Sequence, residues 1–263
     1  CLRPCKAYPQ NPLNFKEGID LVVFRENTED LYAGVEFNTV PDKLRDTLAE
    51  LSPPFKAFKD LPGDAYAIST KINTRKGSER IIRAAFEFAQ KFGRKKVTVV
   101  HKANVVRATD GLFLETAKQV AKDFPGIAMD DANIDAMTMW LLKNPFNYDV
   151  LVAPNLYGDI ISDLCAQMVG GLGFGCSGNI GEKLAVFEPT HGSAPKYAGQ
   201  YKVNPLATIL AAKMMLDWLG EKVAAAKIEQ AVAAVIAEGQ VRTYDMGGTA
   251  KTLEMAEAVA AKL

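Results

Sequence analysis

The chain has 263 residues, 48% hydrophobic, 24% charged and 9% aromatic, enough apolar material to bury a core and too much for a disordered tail. Thirty-one basic residues are balanced by thirty-one acidic ones, which leaves no positive surplus to neutralise a nucleic-acid backbone or an anionic membrane surface. No apolar run reaches the roughly 20 residues that span a bilayer. Cys1, Cys5, Cys165 and Cys176 form neither a CxxC pair nor a zinc spacing with His101 or His191, which points to a reducing, cytoplasm-like compartment.

In chain order, the opening Cys1-Leu-Arg-Pro-Cys lacks a methionine and reads as the interior of a longer protein. Residues 19–24 predict a buried strand that delivers Arg-Glu-Asn-Thr-Glu-Asp at its end. Residues 42–64 hold Ser-Pro-Pro and Leu-Pro-Gly and predict a short helix and an exposed loop. A strand over 65–70 precedes a helix over 77–92, with Ile81, Ala85, Phe88 and Ala89 in helical register. Residues 97–100 and 148–153 read as strands and 110–122 as a helix, an alternation that predicts an α/β layer architecture. Gly170, Gly171, Gly173, Gly175 and Gly178 form a glycine-rich connection before a strand over 185–187. This is the candidate crossing between a first domain, 1–169, and a second, 170–263. Helices follow over 207–219, 222–238 and from Thr252.

Asp159 and Asp163 stand four apart, so on a helix their carboxylates project from one face and suit a hard divalent cation such as Mg²⁺ or Mn²⁺. The bland alternative makes both first-turn acids that answer the helix macrodipole. The phrase Phe187-Glu-Pro-Thr-His-Gly-Ser-Ala-Pro-Lys-Tyr-Ala-Gly permits close backbone approach to a ligand, and a structural loop explains its composition equally well.

Four phrases in order, Phe24-Arg-Glu-Asn-Thr-Glu-Asp-Leu-Tyr-Ala-Gly, His101-Lys-Ala-Asn, Asn155-Leu-Tyr-Gly-Asp-Ile-Ile-Ser-Asp and Glu188-Pro-Thr-His-Gly-Ser-Ala-Pro-Lys-Tyr-Ala-Gly, resemble the isocitrate and isopropylmalate dehydrogenase family. The resemblance implies that family's α/β two-domain architecture, with the large domain incomplete at its N-terminal side because the match begins inside the family pattern. Residues 1–169 would form the small domain with the metal, catalytic and dimer-contact residues, and 170–263 the C-terminal part of the large, cofactor-binding domain.

By the same resemblance, Arg3 and Arg25 bind substrate carboxylates, Lys102 removes the hydroxyl proton and Tyr32 protonates the carbon left by CO₂. Asp135, Asp159 and Asp163 would hold Mg²⁺ or Mn²⁺, with Lys102 and Asp135 reaching the neighbouring subunit's site, which implies a homodimer. On their own, Tyr32 reads as a packed aromatic, Lys102 as a snorkelling lysine and Asp135 as a helix-start acid. Asn104, His191, Gly192, Lys196, Tyr197, Val203, Asn204 and Tyr244 would contact the nucleotide. Lys196, Tyr197, Val203 and Tyr244 resemble NADP-type enzymes, while Gly248 stands where that pattern carries an arginine, so NADP is favoured over NAD with one phosphate contact absent. The implied reaction is oxidative decarboxylation of isocitrate. Homoisocitrate, isopropylmalate and tartrate are the alternative substrates, and a non-catalytic regulatory subunit is the alternative of another class.

Overall fold

In the computed structural model, which describes residues 1–263, the first two strands, Leu2–Lys6 (β1) and Asp20–Arg25 (β2), pair antiparallel from Leu2↔Phe24 to Lys6↔Asp20. A 3-10 turn at Asp30–Ala33 follows, and then a short ladder, Glu36–Phe37 (β3) with Ile68–Ser69 (β4), brackets the largely exposed excursion that carries the helix Asp42–Leu51 (α1). Arg75–Lys91 (α2), Lys96–His101 (β5), Thr109–Val120 (α3), Ala128–Asn133 (β6), Ile134–Lys143 (α4), Val150–Ala153 (β7) and Asn155–Met168 (α5) then alternate. Cys176–Ile180 (β8), Ala185–Pro189 (β9), Leu206–Leu219 (α6), Lys222–Glu238 (α7) and Thr252–Ala260 (α8) complete the chain.

Seven strands form one sheet in the order β6-β5-β7-β2-β1-β8-β9. The β6, β5, β7 and β2 strands run parallel, and each pairing from β2 out to β9 is antiparallel. Because side chains alternate across a strand, Val22, Phe24, Val97, Val99, Val150 and Val152 face α2 and α3, whose Ile82, Phe86 and Phe113 are fully buried against them. Leu21, Val23, Val100, Leu151 and Ala153 face the opposite way onto Met137 and Leu141 of α4 and Ile161 and Cys165 of α5. Burial on both faces is what a parallel sheet between two helical layers requires. A third cluster joins Cys176 and Phe174 to α6, α7 and α8 through Leu210, Val232 and Met255.

Local chemistry sets the element ends. Thr74 caps α2 by accepting the Gly77 amide at 2.9 Å. Gly220 and Gly239, both left-handed, end α6 and α7.

The alternation expected from the sequence is present, with differences of detail. The strand expected over 65–70 contracts to Ile68–Ser69, since only β3 is there to pair with it. Part of the glycine-rich connection is itself strand β8, and the sheet continues through it by the pairing Leu2↔Gly178.

Phe86 is fully buried and stacks on Phe124 at 5.3 Å. Phe86→Ala should cost about 3–5 kcal/mol by removing apolar contact and leaving a cavity. The check is a urea titration, in which the midpoint should fall while the slope holds; a loss below about 1 kcal/mol would contradict this packing.

Candidate active site at the carboxyl ends of the parallel strands

Open α/β sheets present ligand sites beyond the carboxyl ends of their parallel strands, and several of the sequence-predicted residues stand at or just past such ends. Arg25 terminates β2, Lys102 follows the last residue of β5, Asp135 lies two past the end of β6, and Asp159 and Asp163 ride on the helix that follows β7. The antiparallel β1 brings Arg3 to the same edge, opposite Val23.

Asp159 is the centre of this group. Its Oδ1 accepts from Arg3 Nη1 at 3.2 Å and from Arg25 Nη1, and its Oδ2 accepts from the Tyr32 phenol at 2.7 Å. The Arg25 guanidinium lies 4.9 Å over the Tyr32 ring and is fixed by donating from Nε to Asn155 Oδ1 at 2.9 Å. Asn155 in turn donates to the Glu29 carbonyl at 3.0 Å, tying the start of α5 to the tyrosine turn. Arg3 donates to Ser162 Oγ at 2.6 Å and lies 3.5 Å from Asp163 Oδ1. Gly158 permits this approach, because a Cβ there would stand 2.7 Å from Arg25 Cβ. Asn155 and Ser162 lie inside the quoted motif, but their role appears only when the chain is folded.

Neither Asp159 nor Asp163 lies in the first turn of α5, so the macrodipole reading of these acids fails. Burial raises the Asp163 carboxyl above its usual range; Arg3 opposes that and Asp159 adds to it. The Asp159 carboxylate, as hydrogen-bond acceptor, is the first cause that raises the Tyr32 phenol. Two carboxylates one helical turn apart, offering only oxygen donors, fit a divalent cation whose remaining positions go to substrate and water. No third His, Cys, Asp or Glu of the chain joins them.

Asp135 stands elsewhere, ion-paired with Lys102. It is both a first-turn acid of α4 and the lysine's partner, and the bond from Lys102 is the first cause that lowers its carboxyl. The turn bearing Lys102 is held from both sides. The Ala103 amide donates to His101 Nδ1 at 3.0 Å, which makes Nε2 the nitrogen that donates to Asp131 Oδ2 at 3.0 Å. The Lys102 amide donates to Asp110 Oδ2 at 2.6 Å.

The predicted nucleotide residues divide into two kinds. Tyr197 and Tyr244 pack 5.5 Å apart, with the Lys196 ammonium 4.9 Å from the Tyr197 ring. Lys202, which the sequence did not single out, lies 5.4 Å from Tyr197 and 4.8 Å from Tyr244. The Tyr197 phenol is lowered first by Lys196 and then by Tyr244. Asn204, by contrast, is buried and spends its side chain on Asp245 and on the Leu206 amide at the start of α6, while the Val203 carbonyl accepts from Thr252. His191 lies with Nδ1 2.9 Å from the Gly192 carbonyl, and Asn104 is exposed. A Cβ at Gly248 would meet the Arg242 carbonyl oxygen at 2.1 Å, so this backbone leaves no room for a side chain at that position.

A sequence profile described as isocitrate/isopropylmalate dehydrogenase matches residues 1–259. The 3-isopropylmalate dehydrogenase of Archaeoglobus fulgidus is 46% identical over 262 residues, which cover all of this chain and 72% of that protein. The isocitrate/homoisocitrate dehydrogenase of Thermus thermophilus is 46% identical over 258 residues, 98% of this chain and 69% of its own. Among solved structures, the isocitrate dehydrogenase of Methylococcus capsulatus superposes with a TM-score of 0.87 at 42% identity, covering 99% of this chain and 72% of that one.

The carboxylate at position 159 holds the Tyr32 proton, while the nearby Arg25 favours the phenolate. Asp159→Asn should therefore shift the Tyr32 titration to lower pH, read as the ultraviolet difference between the protein and a Tyr32→Phe control. An unmoved titration would show that Tyr32 does not donate to Asp159.

Proposed function

We propose that this chain, which belongs to the isocitrate/isopropylmalate dehydrogenase family of decarboxylating dehydrogenases, converts isocitrate to 2-oxoglutarate with a divalent metal and a pyridine nucleotide. The observation that carries the reading is the convergence of Arg3, Arg25 and Tyr32 on Asp159. A substrate carboxylate brought beside Asp159 comes within reach of two guanidinium groups, whose geometry suits it. A cation held by Asp159 and Asp163 would polarise the substrate oxygen, and the nicotinamide would take the hydride. Tyr32, whose phenol donates to Asp159, would give a proton to the carbon left by CO₂. Lys102, whose side chain pairs with Asp135, is the proposed acceptor of the hydroxyl proton. Isocitrate is preferred because Arg25-Glu-Asn-Thr-Glu-Asp-Leu-Tyr-Ala-Gly resembles isocitrate enzymes; homoisocitrate, 3-isopropylmalate and tartrate are the competing substrates.

The assembly we propose is a homodimer. Met139, Trp140 and Leu142 of α4, Phe146 just beyond it and Ile160 of α5 leave apolar side chains exposed on the helices that carry Asp135 and Asp163, surface suited to a second copy that would exchange Lys102 and Asp135 between sites. The catalytic candidates fall in residues 1–169, and all the nucleotide candidates except Asn104 fall in 170–263, which supports the proposed division into a catalytic and a cofactor-binding part.

For the cofactor we favour NADP over NAD. Two lysines and two phenols provide charge and hydrogen bonds for a 2′-phosphate, and no acid sits at position 196 to claim the ribose hydroxyls.

Two measurements on the full-length protein with Mn²⁺ test these statements. Isocitrate should give a kcat/KM at least tenfold above homoisocitrate, 3-isopropylmalate and tartrate. A higher value with any of those three overturns the substrate, and no turnover of any of the four favours a regulatory subunit. Lys196→Asp should move the NADP/NAD ratio of kcat/KM toward NAD by about tenfold, the worth of one charge-assisted contact; a tenfold preference for NAD in the unsubstituted protein overturns the cofactor.

A further inference from the structure

Lys71 lies in the extended stretch between β4 and the cap of α2, and no sequence motif draws attention to it. Its ammonium sits 2.8 Å from Asp110 Oδ1, 3.4 Å from Asp30 Oδ2 and 4.3 Å over the Tyr157 ring. Both aspartates are fully buried, and Lys71 is the one cation paired with either.

Each aspartate holds a different part of the candidate active site. Asp30 opens the 3-10 turn that carries Tyr32, with a left-handed φ of +74° that is uncommon outside glycine. Its amide donates to the Ile72 carbonyl at 2.7 Å, and its carboxylate accepts the Leu31 amide at 2.7 Å and the Leu156 amide at 3.2 Å. That places Asp30 between the Tyr32 turn and the first turn of α5, the helix of Asp159. Asp110 accepts the Lys102 amide at 2.6 Å.

We propose that Lys71 is a positioning residue, a single buried ammonium that fixes the Tyr32 turn, the Lys102 turn and the start of α5 relative to one another. The proposal rests on the reading of Tyr32, Lys102 and Asp159 given above. Without the ammonium, two buried carboxylates keep their amide donors but lose their one counter-charge, and their repulsion drives the segments they hold apart. Arg3 and Arg25, the substrate ligands proposed above, bond to none of Lys71, Asp30 and Asp110, and their bonds to Asp159 remain when Lys71 is replaced. Lys71 should therefore act on kcat far more than on KM, since misplacing reacting groups by about 1 Å costs on the order of 100-fold.

The test uses the full-length protein and its Lys71→Met, Lys71→Arg and Lys71→Met/Asp110→Asn variants, read by amide hydrogen exchange and by steady-state kinetics. The amides of Lys102, Val105, Val106, Leu156 and Gly158 report on two of the three held segments, the Lys102 turn and the start of α5. Lys71→Met should exchange faster at both segments with the central strands still protected, and lose about 100-fold in kcat with KM within about threefold. Lys71→Arg, which keeps the charge, should recover most of the protection and rate. The double variant, with the cluster's net charge restored, should fold even where Lys71→Met does not, and still exchange faster than wild type at both segments. Wild-type protection at both segments in a variant lacking the ammonium overturns the proposal, as does faster exchange spread evenly over the whole sheet. If the unsubstituted protein turns over no isocitrate, the functional reading fails while the exchange data still decide the role of Lys71.

Discussion

A single carboxylate, Asp159, takes hydrogen bonds from two arginines and a tyrosine contributed by three separate segments of chain. That arrangement constrains much else. A carboxylate gathers two buried guanidinium groups only where the fold delivers them, since each ion loses hydration on the way in. Delivery here depends on the β1–β2 register, which sets Arg3 and Arg25 at one edge of the sheet, and on Gly158, where any side chain would collide with Arg25. The valine-rich strands and the helices packed on both faces serve to hold that edge still.

The second half of the site is organised by a different device. Lys102 stands on a turn whose backbone is held by His101 and Asp110, and its ammonium is claimed by Asp135 rather than by the Asp159 group. The chain thus carries two charged centres, one rich in carboxylate and guanidinium, the other a lysine–aspartate pair. The helices α4 and α5, which carry Asp135 and Asp159, also carry exposed apolar side chains. In the proposed homodimer each centre would complete its counterpart across the interface.

Much of this was legible before folding. The spacing of Asp159 and Asp163 placed both on one helical face, and the alanine-rich segment over 222–238 coincides with α7. Other features were hidden for identifiable reasons. β1 carries a proline and β6 the acids Asp130 and Asp131, so neither shows the apolar alternation that marks a half-buried strand; β6 is tolerated as an edge strand. β8 is masked by the glycines around it. Lys71 and Asp110 stand in no motif, and Asp30 stands inside one with no role of its own, because their importance comes from partners that are distant in sequence. Lys202 likewise gains meaning from Tyr197 and from Tyr244, forty-two residues later.

The proposed chemistry requires Asp159 and Asp163 as oxygen ligands to a divalent cation. The most direct test is an electron paramagnetic resonance titration of Mn²⁺ into the full-length protein and into its folded Asp159→Asn and Asp163→Asn variants. The account predicts a saturable site in the unsubstituted protein that either substitution weakens at least tenfold; a titration unchanged by both substitutions would contradict it.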